Sequence, residues 1–282
     1  MKYKKFYALL LLFAMLISCS TESSKKENTS SETKKREIKT DEGSFSKITK
    51  ATTKSDLVKF NVIGKIKSFT ESNYHAILRS GKIQKGNLQT KKVLLFDEKG
   101  NQVEMSTYNE KGAIDNKSTY EYDSDGKKIE YSNLKQDGSI DYKSTFKYDE
   151  RGNIIEEIAN YADGSLYYKA TFAYDDKDNQ IEYTLFNLLG EQIRKISYKY
   201  DDKGNQIEET HFGAKGNLTH KYIYKYDDRG NKIEHSAYNP DNSFRGTLTY
   251  KYDYDSEGNW IKKTTYKNDQ AIEITDRFID FY

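Results

Sequence analysis

Four histidines, one cysteine and two columns of carboxylates are the side chains that could do chemistry in this chain. His75, His211, His220 and His235 fall at spacings that suit no helical metal site, and none recurs at a fixed interval. They read as solvated or strand-surface histidines rather than as ligands or bases. The carboxylates do recur. Asp97, Asp123, Asp149, Asp175, Asp201 and Asp227 form one series, and Glu104, Glu130, Glu156, Glu182, Glu208 and Glu234 form another. An acid–base site needs a unique pair held in a pocket with displaced pKa values. One acid per unit is instead a sign of architecture. The Asp residues are expected to set turns, and the Glu residues to pair across strands with lysines such as Lys199 and Lys225. Asp123-Ser124-Asp125-Gly126 has the opening of a calcium loop but lacks its remaining ligands. No phosphate-cradling glycine loop or serine elbow occurs. The expectation is a protein that is not an enzyme and uses no metal or cofactor.

The elements that carry these residues are set by a repeat. FDEKGNQVE, YDSDGKKIE, YDERGNIIE, YDDKDNQIE, YDDKGNQIE and YDDRGNKIE begin at Phe96, Tyr122, Tyr148, Tyr174, Tyr200 and Tyr226, each 26 residues after the last. A seventh segment, YDSEGNWIK, begins at Tyr254 after a step of 28, with two residues inserted near Tyr252-Asp253. Midway between them stands a second set of turn signals, such as QDGS at 136–139 and ADGS at 162–165. In each turn an Asp side chain bonds the backbone ahead of it, and Gly accepts the left-handed conformation. The stretches between turns alternate Tyr, Phe, Thr, Ile and Lys in the manner of strands. The expected fold is all-β: one long antiparallel meander of about 14 strands in tandem hairpins, twisted or spiralling because so wide a sheet does not stay flat. Residues 57–93 are expected to cap and start the sheet. Residues 94–282 form the repeat domain, with Ile274–Tyr282 as a closing cap strand.

Like positions then recur on every second strand. Tyr120, Phe146, Phe172, Tyr198, Tyr224 and Tyr250 form one aromatic column. Tyr122, Tyr148, Tyr174, Tyr200 and Tyr226 form a second on the same face, because residues i and i+2 share a face. Val103, Ile129, Ile155, Ile181, Ile207, Ile233 and Ile261 form an aliphatic column whose face depends on the register at each turn. Tyr122, Tyr148, Tyr174, Tyr198, Tyr200, Tyr224 and Tyr226 are the candidate ligand-binding residues, a ladder on which sugar rings or a partner's side chains could stack. The same residues could serve as the packing of a thin sheet.

The first 19 residues, MKYKKFYALLLLFAMLISC, place Lys2, Lys4 and Lys5 before an apolar run from Phe6 to Ile17. The run is shorter than the ~20 residues that span a bilayer and has the length of a signal-peptide core. Leu16-Ile17-Ser18-Cys19 resembles the lipobox of bacterial lipoproteins. That resemblance implies removal of residues 1–18 and acylation of Cys19, the single cysteine of the chain. It also implies membrane attachment through the lipid, in the cell envelope. Ser20 stands where an Asp would resemble an inner-membrane retention signal, so the outer membrane is favoured. Residues 19–56, rich in Ser, Thr, Lys and Glu, read as a solvated tether. The full chain carries 46 basic and 44 acidic side chains. Removing residues 1–18 takes away three lysines and brings the net charge from +2 to −1. A nucleic-acid partner, which would need a basic surface, is not expected.

The unit Tyr-x-Tyr-Asp-x-x-Gly-Asn-x-Ile resembles the YD repeats of Rhs proteins and teneurins and covers residues 94–282. Those repeats more often carry Arg after the Gly, where this chain has Asn101, Asn153, Asn179, Asn205, Asn231 and Asn259, and Lys127 at one turn. The resemblance implies strips of β-hairpins and loosely carbohydrate or surface binding, with no catalysis; the partner expected beside the membrane is a polysaccharide or an envelope protein. In Rhs proteins such strands form a closed shell, for which this chain is expected to be too short. A purely structural or assembly role is the alternative to binding.

Overall fold

A computed structural model describes residues 56–282. The signal peptide expected at 1–18, the lipidation expected at Cys19 and all but the last residue of the expected tether lie outside them. The described chain begins with a short 3-10 helix, Asp56–Phe60, and continues as sixteen strands. β1 (Ile66–Arg79) and β2 (Lys82–Phe96) are the longest. They are followed by β3 (Gln102–Tyr108), β4 (Ile114–Tyr122), β5 (Lys128–Leu134), β6 (Ile140–Tyr148), β7 (Ile154–Tyr161), β8 (Leu166–Tyr174) and β9 (Gln180–Phe186). The remainder are β10 (Gln192–Tyr200), β11 (Gln206–Gly213), β12 (Leu218–Tyr226), β13 (Lys232–Tyr238), β14 (Phe244–Tyr254), β15 (Trp260–Lys267) and β16 (Gln270–Phe281).

Every strand pairs antiparallel with its sequence neighbours, and β1 pairs with β16, so the sheet is a closed barrel. This corrects the expectation of an open or spiralling meander from a chain too short to close. Closure comes from the two segments expected to cap separate ends. They cap nothing and pair with each other, from Phe69↔Ile279 through Glu71↔Arg277 and Asn73↔Thr275 to His75↔Glu273. Sixteen strands spaced about 4.8 Å apart and tilted by roughly 40° close a ring on the order of 30 Å across. No edge strand remains.

The two turn series occupy opposite ends of the barrel. At one end the Asp side chain behaves as its position suggests. Asp149 Oδ1 accepts from the amides of Arg151 and Asn153 at 3.0 and 2.7 Å, and Asp149 Oδ2 accepts from Asn153 Nδ2 at 3.0 Å. The same bonds recur at Asp175, Asp201 and Asp227. The left-handed residue of these turns is Gly except at Asp178, with φ of 63°, which Asn153 Nδ2 reaches at 2.8 Å. At the opposite end Asn242 takes the same conformation in place of Gly.

After each turn of the Asp97–Asp255 series the register slips by one residue. Tyr122 pairs with Lys128 and Glu121 with Glu130, leaving Ile129 as a bulge between them. The bulge settles the face of the aliphatic column. Ile129, Ile155, Ile181, Ile233 and Ile261 turn outward and are substantially exposed, opposite to the Tyr columns. The outer wall is otherwise laced by charge. Lys143 pairs with Glu130, Lys147 and Lys169 with Glu156, Lys199 with Glu208 and Lys225 with Glu234. Such a wall is unlike that of a membrane-spanning barrel, which needs an apolar band about 25 Å tall.

The contiguous apolar cluster lies at the Asn-turn mouth, while Tyr142, Ala159, Ala170, Ile196 and Ile274 are buried elsewhere along the wall. Ile66, Phe69, Leu94 and Phe96 are buried at that mouth, with Leu57, Phe60 and Val62 packed on them. Phe60 stands edge-on to Phe69 and Phe96 at 5.0 and 5.8 Å between ring centres.

Candidate functional site

The residues 56–63 form a strap over that mouth. At its start, Asp56 accepts from the hydroxyl of Tyr122 at 2.6 Å, at the end of β4. At its other end, Asn61 Nδ2 donates to Asn231 Oδ1 at 2.8 Å, and the amide of Ile63 donates to Asn259 Oδ1 at 2.6 Å. These partners precede β13 and β15, which lie seven and five strands from β4 by the shorter way around the ring. The opposite mouth, ringed by the second turn series, has no such strap among the described residues.

Both aromatic columns face the interior. The second has a specific structural duty. Tyr148 donates to Lys128 O at 2.5 Å, Tyr174 to Ile154 O at 2.8 Å, Tyr200 to Gln180 O at 2.7 Å and Tyr226 to Gln206 O at 2.7 Å. Each reaches the first residue of the preceding odd-numbered strand, and Tyr122 likewise stands 2.8 Å from Gln102 O. The sixth member is Tyr252, which opens the seventh repeat unit and donates to Lys232 O at 2.7 Å. The sequence reading began the seventh unit at Tyr254. The inserted pair in fact extends β14, and Tyr254 instead reaches Asn231 and Asp227. Burial raises the phenols of Tyr148, Tyr174, Tyr200 and Tyr226 to about 12. Tyr198 and Tyr224, of the first column, also have raised pKa values because they are buried.

The remaining interior columns do not repeat. Comparable positions along them read Met105, Tyr131, Glu157, Tyr183, Glu209 and His235, and Asn116, Tyr142, Tyr168, Arg194, His220 and Gly246. They produce two distinct patches toward the unstrapped mouth. On β5–β8, Tyr131, Tyr142, Tyr167 and Tyr168 form a chain of rings with centres 4.9 to 6.1 Å apart, and Tyr168 donates to Glu157 at 2.6 Å.

On β10–β13 the structure gathers three of the four histidines. His211 and His220 face each other across the β11–β12 pair and stack with ring centres 4.0 Å apart. Tyr222 stands against His220 and His235 at 5.1 and 4.8 Å. Glu209 binds His211 Nε2, Gln206 Nε2 and the Tyr224 hydroxyl, which saturates its carboxylate. Burial opposes the ionisation of Glu209, but the His211, Gln206 and Tyr224 bonds outweigh it and hold its pKa low. His220 and His235 are pushed down to about 4, by burial first and then by positive neighbours: His211, Arg245 and Arg194 for His220, and Lys232 for His235. Lys232 lies 3.4 Å over the Tyr224 ring and is lowered to about 8 by burial.

These histidines are not the solvated surface groups expected from their spacing. The signal that could have found them is the break in repeat identity on inward columns, which becomes readable once the inward face is known. His75 lies apart, beside Gln89 on the β1–β2 pair. No cluster of three or more His, Cys, Asp or Glu suited to a metal occurs among the described residues.

No family model matches the chain, and no curated protein matches it significantly. Solved structures do. A porin-like protein from Bacteroides uniformis is 11% identical with a TM-score of 0.52, over 76% of this chain and 98% of that one. Looser likenesses run to TcdB2-TccC3-Cdc42 (TM-score 0.33, 15% identity, 72% of this chain and 11% of that one) and to a DUF1329 family protein from Desulfovibrio piger (TM-score 0.23, 9% identity, 78% and 88%). What the chain shares with the first of these is a fold.

Proposed function

We propose that this protein is a non-catalytic β-barrel of the cell envelope, held to the membrane by a lipid on Cys19, with the outer membrane favoured. It binds a glycan or a protein partner on the aromatic inner wall of its unstrapped mouth. The observation that carries this reading is the division of labour among interior columns. The Tyr column that braces the turns is constant from unit to unit, whereas the columns toward the unstrapped mouth vary and bring unlike aromatic and charged residues together. A purely architectural wall would have little reason to break its own repeat there. The charged outer wall supports attachment through the lipid rather than through the strands.

The assembly alternative needs a surface for self-association. Unpaired sheet edges, the simplest such surface, are absent from the closed ring. The test is a binding screen of the full chain, purified from membranes in mild detergent, against neutral and acidic envelope polysaccharides and an envelope-protein extract. A Tyr142→Ala/Tyr222→Ala variant runs alongside. Saturable binding that the folded variant loses supports recognition at the inner wall. Binding to none of these, with self-association in solution, would favour the assembly role.

A further inference from the structure

Of the two inner-wall patches, the one on β10–β13 has the more specific chemistry. It holds donors and positive charge that the barrel uses only in part, since Arg194 bonds the Tyr183 hydroxyl while other polar atoms nearby stay unpaired. Nε and Nη2 of Arg194, Nδ1 of His211 and Nε2 of His235 are buried without a hydrogen-bond partner among the described residues. Buried donors and acceptors in native proteins are almost always paired, so four such atoms on one wall call for an explanation. The local acid does not supply it, because Glu209 is already occupied by His211, Gln206 and Tyr224.

Arg194 lies against the Tyr183 ring, 5.7 Å from its centre. Arg245, at the start of β14 on the rim, bears electrostatically on both His220 and Tyr222. Neither arginine forms an ion pair among the described residues, whereas Arg151 and Arg277 do. Two guanidinium groups without an ion pair are thus carried on β10 and β14, the strands on either side of β11–β13, whose inner face presents a floor of Tyr222 and the stacked pair His211 and His220. Guanidinium favours planar oxyanions, and aromatic floors favour flat ring faces.

We propose that this wall binds a carboxylated saccharide. Its uronate-type carboxylate lies between Arg194 and Arg245, and its sugar ring lies against Tyr222. The inference rests on the binding reading above and narrows it to acidic sugars at one wall.

The experiment is calorimetric titration of the full chain in detergent with an oligogalacturonate, its methyl ester and inorganic phosphate. The expected result is saturable binding of the acidic oligosaccharide, weakened at least tenfold by methyl esterification and poorly competed by phosphate. Arg245→Ala, on the exposed rim, should weaken binding about tenfold without loss of fold. Arg194→Lys should weaken it through loss of the planar fork, and Lys199→Ala on the outer wall should leave it unchanged. Equal binding of acid and ester, or no effect of Arg245→Ala and Arg194→Lys, overturns the proposal and leaves a neutral-glycan reading standing. Phosphate binding as tightly as the saccharide overturns the sugar specificity. No binding of acid, ester or any polymer in the screen overturns both readings.

Discussion

Arg277 and Glu71 hold the barrel shut from the inside. The guanidinium donates to the Glu71 carboxylate through Nη2 and Nε at 2.6 and 3.0 Å, and both residues lie at the one seam where the first strand meets the last. Arg277 also caps Phe60 O at 3.2 Å and stands 3.4 Å from the Trp260 ring centre. It joins seam, strap and wall in one contact set. Removing one member of a buried pair strands the other charge, at a cost of about 3 kcal/mol or more. Glu71→Ala should therefore destabilise the barrel more than Glu156→Ala on the outer wall. The check is the denaturant midpoint of each variant at constant slope.

The Tyr hydroxyls predict a graded series. Tyr174→Phe removes the donor to Ile154 O while keeping the ring, and should cost about 1 kcal/mol. Tyr174→Ala also removes the buried ring and should cost roughly 3 kcal/mol or more. Phe172→Leu, in the first column, changes no hydrogen bond and should fall between them. Thermal and chemical denaturation of the three variants would test this order.

The strap should respond to a single amide. Asn259 Oδ1 accepts from Ile63 N, and Asn259 is almost fully buried. Asn259→Ala leaves that amide without its partner and also removes the Nδ2 bond to Asp255 Oδ2, for a loss of about 1–3 kcal/mol. Hydrogen exchange at Ile63 should accelerate well beyond exchange at the centre of β8. Equal acceleration at both positions would mean that the strap opens only when the whole barrel unfolds.

Alkaline stability follows from the interior phenols. Tyr148, Tyr174, Tyr200 and Tyr226 are held up to about 12 by burial, above the ordinary value of 10. A folded pKa raised above the unfolded one gives stability that is complete below the unfolded value and lost as pH rises through the folded value. Lys232, lowered from 10.5 to about 8, acts in the opposite sense between those two values. Burial lowers Lys128 and Lys263 too, but all three amines act below their ordinary value of 10.5, so the phenols dominate above it and the barrel should unfold cooperatively as pH climbs from about 10 toward 12. Phenolate absorbance would then rise in one steep step that coincides with loss of the sheet signal by circular dichroism. A broad rise at 10 with the sheet intact would contradict this.

Much of the architecture was legible in the residues because its cause is local. Asp149 and Asn153 close a turn within five residues, and the same letters recur 26 residues later. Strand type, turn position and the Lys199–Glu208 and Lys225–Glu234 pairs follow from that spacing. Closure was not legible. It depends on Phe69, Glu71 and Asn73 meeting Ile279, Arg277 and Thr275 about 200 positions away, in segments that carry none of the repeat motif. The face of Ile129 was not legible either, because it turns on a one-residue bulge that periodicity cannot show. His211, His220 and His235 looked unrelated because their meeting is a property of inward columns on three adjacent strands, and no linear spacing encodes it.

A closed ring of hairpins also restricts how such a chain can change in length. An open array could gain or lose a strand at either end. Here β1 and β16 must meet antiparallel, so strands have to be added or removed in pairs, and the 26-residue unit supplies such a pair. Duplicating one unit in register would keep the seam intact and widen the girth by about two strand spacings, roughly 10 Å. The eight-residue strap, five of whose residues are wound into the 3-10 helix, would then have to unwind or lengthen to keep its far anchors. Barrel girth and strap length are thus coupled dimensions, and a viable change in one would require a change in the other.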